Sequence, residues 1–208
     1  MAANFNNASW FYDDLAFIFY GKVLINAQVY MLKFIPANSN VLIVGGGTGW
    51  ILEQIAKIHP SNLNITYVEV SVKMMARSKK RMLGNNIVLF INEAIEDVTL
   101  KSDYDVVITP FLLDNFTEGT LQKVFNHVHG LLKPGGVWLN TSFRVSGKWG
   151  HKILLKFMFL FFNLICKVEA TKLPNIETQF EKHGYKATAQ QSFFNNFIIS
   201  RVYQQQLK

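Results

Sequence analysis

Cysteine is almost missing from this chain of 208 residues: the single Cys166 excludes any internal disulfide, which suits a reducing compartment. It lies in an apolar run with no activating neighbour and reads as a structural thiol rather than a nucleophile. The apolar stretch from Trp149 to Cys166 has Phe157–Cys166 as its longest uncharged run, well short of the about 20 residues a bilayer requires. A buried or interfacial helix is expected there instead. The N-terminus lacks the basic region of a secretory signal, and Asp13 and Asp14 follow soon after, so the cytoplasm is the expected location. A lone His127-Val-His129 offers too few metal ligands, and two residues apart on a helix do not share a face. No metal site, internal repeat or second domain is expected.

Acidic residues are outnumbered, 14 against 21 basic, giving a net charge of +7 that would suit nucleic acid, anionic lipid or an acidic substrate. The densest basic cluster, Lys73, Arg77, Lys79, Lys80 and Arg81, falls on one expected helix, where a solvated face is the simplest role. The 18 phenylalanines are not interleaved with it, as they would be in a nucleic-acid groove. Nucleic acid is therefore not an expected partner. With half of its residues apolar, the chain is long enough for one domain with a sizeable core.

The chain is organised around Val41-Leu-Ile-Val-Gly-Gly-Gly-Thr-Gly-Trp50. The four apolar residues read as a strand buried on both faces of a parallel sheet. Gly45, Gly46 and Gly47 allow a ligand to lie against the main chain, and Thr48 is placed to cap a helix over Trp50–His59. A dinucleotide fingerprint counted from Gly45 would put its third glycine at Trp50, and no lysine follows until Lys57, as a P-loop would need. A second strand, Asn64–Glu69, ends in a carboxylate 69 − 49 = 20 residues after Gly49. A carboxylate there can accept both hydroxyl hydrogens of a ribose.

These residues resemble the class I S-adenosylmethionine-dependent methyltransferase family. Gly45, Gly47 and Gly49 match its first motif and Glu69 its acidic second-strand residue. Asn92-Glu93-Ala94 stands where the family has Gly-Asp-Ala, Tyr104-Asp105-Val-Val-Ile-Thr109 looks like its fourth strand, and Leu131-Leu-Lys-Pro-Gly-Gly136 like the turn into its fifth. The resemblance spans roughly residues 38–143 plus a C-terminal strand pair. It implies S-adenosylmethionine as cofactor, held by Gly45, Gly46, Gly47, Gly49, Glu69, Val70, Glu93, Ala94 and Thr109. One departure is Ile43, where the family often has an acidic residue. Aminopropyltransferases of the spermidine synthase type share the fold and resemble this chain at that position.

The segment after the fourth strand faces the reacting methyl in this family, which makes Phe111 a candidate acceptor contact. Asp114 is the nearby ionisable residue and a candidate general base, with a turn or helix cap as the alternative. Thr109-Pro110-Phe111 departs from the Asn/Asp/Ser-Pro-Pro-Tyr/Phe of nucleobase amino-methylating enzymes. Tyr12 in an N-terminal lid and Trp149 in the apolar insertion complete the acceptor candidates.

The expected architecture is α/β: a Rossmann-like, doubly wound, mainly parallel sheet in three layers, closed by an antiparallel hairpin at Tyr185–Phe194 and Phe197–Tyr203. Residues 1–37 form an N-terminal helical lid, 38–143 the cofactor-binding core, 144–173 an apolar acceptor-side insertion, and 174–208 the last helix and hairpin. The expected function is methyl transfer to a small apolar or aromatic acceptor. Aminopropyl transfer, or cofactor binding without catalysis at a membrane surface or on RNA, is the alternative. A peripheral membrane contact or a homodimer through 149–166 is a further expectation.

Overall fold

Strand β1 (Asn40–Val44) is apolar on both faces: Val41 and Ile43 enter one hydrophobic cluster, Leu42 and Val44 another. Successive strand side chains point oppositely, so such a strand needs cover above and below, which makes three layers. The computed structural model describes residues 22–145, 147–166 and 170–206, without the side chains of 161, 162 and 164–166. Tyr12 and the rest of 1–21 lie outside the described residues, as does the Cys166 thiol.

One cluster packs the sheet against α1 (Val23–Leu32), α2 (Trp50–Ile58) and α3 (Val72–Ser78). The opposite cluster packs it against α4 (Glu118–Leu131) and α6 (Ile176–Lys182). There the Phe125 ring stacks on Trp138 at 4.6 Å, and Phe180 on Tyr203 at 3.6 Å.

Among the described residues, seven strands run in the order β3-β2-β1-β4-β5-β7-β6. After β1 come β2 (Ser61–Val68), β3 (Asn85–Ile91), β4 (Tyr104–Pro110) and β5 (Leu132–Phe143), and these five strands are parallel to one another. The hairpin of β6 (Tyr185–Phe193) and β7 (Ile198–Gln205) adds to β5 antiparallel. This is the doubly wound, mainly parallel sheet with a terminal hairpin that the sequence predicts. Chain order reverses between β1 and β4, so their C-terminal loops diverge and leave a crevice.

Several boundaries differ from expectation. Strand β5 starts at Leu132, which pairs with Tyr104, but regular pairing resumes only at Val137 opposite Val106, so the Lys-Pro-Gly-Gly segment bulges out of the ladder as its turn composition predicts. Gly49, not Thr48, is the N-cap of α2 and makes no side-chain cap bond. The carbonyl and hydroxyl of Thr48 accept instead from the Arg81 guanidinium, which removes Arg81 from the solvated basic face. The connection between β6 and β7 is a four-residue turn with Phe194, Asn195 and Asn196 all at positive φ.

Helix α5 (Trp149–Cys166) fills the expected insertion. Leu155 and Phe159 on its inner side join Ala27 of α1 with Phe197 and Ile198, against Phe111 and Phe143. This third cluster sits beside the C-terminal edge of the sheet, next to the crevice.

Asp114 lies in a 3-10 turn, Leu113–Asn115, directly after β4. It is 3% exposed, and its Oδ2 accepts from the Phe143 N–H at 3.0 Å, tying this turn to the end of β5. Oδ1 has no partner. Burial pushes the carboxyl up to about 8, opposed by the Phe143 N–H. A free aspartate ionises near about 3.9, so between about pH 4 and pH 8 the unfolded chain gives up a proton that the folded chain keeps. Stability is lost across that window as pH rises and levels off above it. Asparagine preserves an acceptor for Phe143 without ionising. The stability of Asp114→Asn relative to wild type should therefore rise between pH 4 and 8 in denaturant titrations; a pH-independent difference would contradict the assignment.

Candidate active site

The loop Gly45–Gly49 leaves β1 at the crevice, and its shape is set by Glu69 at the end of β2. Oε2 of Glu69 accepts the Gly47 N–H at 2.9 Å and Oε1 accepts the Ser71 N–H at 2.8 Å. One carboxylate thereby joins the glycine loop to the start of α3. The side chain is 5% exposed. Burial raises its pKa, and the N–H bonds from Ser71 and Gly47 pull it back.

Tyr67, one turn of the pleat away, supports the loop from below: its hydroxyl donates to the Gly47 carbonyl at 2.9 Å. A Cβ on Gly46 would sit 2.3 Å from the Tyr67 ring, so only glycine lets the loop pass over that ring. Gly47 is different. It has φ +65°, and a Cβ there would meet only the Met74 sulfur at 3.9 Å. Its missing side chain leaves room on the crevice side, the space a ligand lying on the main chain would use.

At the end of β3, the Asn92 side chain donates to the carbonyls of Glu69 and Val70. This joins the two strand ends and brings Glu93 and Ala94 alongside Glu69. The result is a cleft that opens to solvent between the ends of β1, β2 and β3 and the segment after β4. Its polar wall includes Gly45, Gly47, Glu69, Glu93 and Glu96; its apolar wall is Pro110, Phe111, Leu112 and Phe116 from the segment after β4.

Of the residues singled out by sequence, the cleft brings together Gly45, Gly47, Glu69, Val70, Glu93, Ala94 and Phe111. Gly46 and Gly49 shape the loop without lining the cleft; Gly49 lies against Ser78 of α3. Thr109 does not reach it. Its hydroxyl accepts from Trp138 Nε1 and donates to Asn140, fully buried between sheet and α4. Pro110, one residue later, occupies the edge. Asp114 is also away from the cleft, turned under the loop toward Phe143. Its carboxyl faces Phe143 rather than the cleft, so in this arrangement it is not within reach of a group bound there. Trp149 is 78% exposed on α5 and lines no part of the cleft.

Phe111 has φ +54°, costly for a bulky residue unless its surroundings fix it. Its N–H donates to the Thr141 carbonyl and its own carbonyl accepts from Asn115. Its ring packs on Phe143 at 5.0 Å. Tyr67, Met74, Leu112 and Phe116, which sequence reasoning missed, carry no motif, and Asn92, noted only at the family's glycine position, had no role assigned. Only their places beside strand ends mark them.

Residues 41–136 match the family model described as a methyltransferase domain. The chain is 31% identical over 144 residues to a malonyl-[acyl-carrier protein] O-methyltransferase of Bacillus cereus, covering 67% of this chain and 51% of that protein. It is 27% identical over 156 residues to a spermidine synthase of Dictyostelium discoideum, covering 68% and 50%. The chain thus spans about half the length of these curated relatives. Among solved structures, a Burkholderia thailandensis 1,6-didemethyltoxoflavin-N1-methyltransferase with bound 1,6-didemethyltoxoflavin and S-adenosylhomocysteine shares the fold. Its TM-score is 0.66 at 11% identity, covering 95% of this chain and 84% of that one. Sequence match and shared fold agree: residues 41–136 match a methyltransferase domain, and the described residues share the fold of a methyltransferase solved with S-adenosylhomocysteine.

Proposed function

We propose that the chain transfers a methyl group from S-adenosylmethionine to a small apolar or aromatic acceptor. The observation that carries this reading is the pairing of a polar cleft wall with an apolar one across the reversal of strand order. On the polar side, each Glu69 oxygen accepts one backbone N–H and keeps a further lone pair for a ribose hydroxyl. Gly47 leaves space for the methionine part, and Glu93 with Ala94 stands where an adenine would lie.

When bound, the cofactor supplies a methyl already activated on a sulfonium. The chain's own work is then to bind, to orient and to exclude water. Pro110, Phe111, Leu112 and Phe116 form a dry wall on which a flat or aliphatic acceptor can be held in line. Among the described residues, the ionisable side chains on the cleft wall are Glu69, Glu93 and Glu96, all on the side read here as holding the cofactor, which suits a reaction driven by positioning. The acceptor's proton, where one is released, leaves to solvent.

Aminopropyl transfer is the second reading. It is favoured by the match to a spermidine synthase and by Ile43, buried in the core of β1 where an acidic residue is common in methyltransferases. The two readings differ in which sulfonium they prefer. Under the leading one, the protein binds S-adenosylmethionine more tightly than its decarboxylated form in calorimetry; the reverse preference moves the assignment to aminopropyl transfer.

Replacing Glu69 by alanine should weaken S-adenosylhomocysteine binding by roughly 1.5–3 kcal/mol, as expected for hydrogen bonds to a charged group. An unchanged affinity would show that the ribose is held elsewhere. Because the ionised carboxylate is the form that accepts both hydroxyls, affinity should also fall with pH through the raised pKa of Glu69. In Glu69→Gln that pH dependence should be absent.

A further inference from the structure

We infer that α5 docks the protein onto the surface of an anionic lipid bilayer, lying in the plane of the interface. The helix carries apolar side chains on two sides. Its inner side, His151, Leu155 and Phe159, is buried. Its outer side presents Trp149, Phe157 and Leu160, which are 78%, 65% and 65% exposed. These recur with Ile153 and Lys156 at helical spacing on one arc of the helix surface. Isolated exposed apolar side chains need no explanation, but a contiguous strip does.

Charge identifies the occupant. From Arg144 to Cys166 the chain has four basic residues, Arg144, Lys148, Lys152 and Lys156, and no acidic one. Lys152 and Lys156 are exposed along one edge of the apolar strip, and exposed Arg144 and Lys148 lie just before it. A second copy of the same face would set these cations against one another, and an acidic protein would leave the aromatic strip unmatched. An anionic bilayer meets both needs, taking the apolar side chains below the headgroups while the lysines reach the phosphates. No described helix is long and apolar enough to cross a membrane, so contact in the interface plane is the geometry available.

The patch extends to the β6–β7 turn. There Phe194, 40% exposed at φ +48°, stacks near His151 with ring centroids 6.2 Å apart. Behind α5, the cluster of Leu155 and Phe159 includes Phe111, part of the cleft wall. Docking through α5 would therefore bring the apolar side of the cleft close to the bilayer. The inference goes beyond the proposed reaction and does not depend on it, because binding to lipid is measured without turnover.

The test is sedimentation of the full chain with sucrose-loaded vesicles of phosphatidylcholine alone or with about one third phosphatidylglycerol, the fraction that supplies a surface potential. Binding is expected only with the anionic lipid, weakening as salt rises, with a blue shift of tryptophan emission that is lost in Trp149→Ala. Phe157→Glu with Leu160→Glu should reduce binding at least tenfold, and Lys152→Glu with Lys156→Glu should remove its salt dependence. All three changes are at exposed positions, so circular dichroism and S-adenosylhomocysteine binding should stay as in wild type. No sedimentation with anionic vesicles would overturn the inference. So would binding indifferent to the α5 substitutions, or a dimer in ultracentrifugation that Leu160→Glu dissolves.

Discussion

The carboxylate of Glu69 is the point on which the cleft depends. Its oxygens hold a backbone N–H of the glycine loop and one at the start of α3, so two segments that meet only at the sheet edge are fixed to a single side chain. Burying an ionisable group is expensive unless it is hydrogen-bonded; the two N–H bonds offset that cost here and leave lone pairs directed at the cleft. Tyr67 below and Asn92 beside it complete the support. The loop is thus held in place before any ligand arrives, a form of preorganisation that lowers the cost of binding.

The core of the fold was readable from local sequence. Val41–Val44 is apolar at every position, a pattern that only a strand covered on both faces satisfies, and Gly45–Gly49 followed by Glu69 fixes the sheet edge. Boundaries were harder. Lys133-Pro-Gly-Gly136 has turn composition and does leave the ladder, yet the strand begins before it, because Leu132 already pairs with Tyr104, a long-range partner that local sequence does not reveal. Thr109 illustrates the same limit within a site: alternation along β4 sends its side chain to the α4 face, where Trp138, 29 residues away, bonds to it. Whether a strand-end residue reaches the cleft depends on where the strand stops, and one residue changes the face.

Long-range partners account for the rest. Arg81 belongs by sequence to a basic helix face, but Thr48 and Glu53 draw its guanidinium inward. Asp114 is polar and next to the reacting segment, which suggests chemistry; its depth and its bond to Phe143 show a group that braces the loop. The apolar content of 149–166 announced a helix without saying which residues it would bury. That became visible only once Leu155 and Phe159 were seen against α1 and β7, with Trp149, Phe157 and Leu160 left outside.

The central claim is that adenosine lies along the ends of β1, β2 and β3 under the control of Glu69. Backbone amide chemical shifts recorded during a titration with S-adenosylhomocysteine test it residue by residue. The account predicts the largest changes at Gly45–Gly47, Glu69–Ser71 and Glu93–Ile95, with smaller ones at Phe111 and Leu112. Changes confined instead to the groove between α6 and β6, around Glu181, Tyr185 and Lys186, would contradict it.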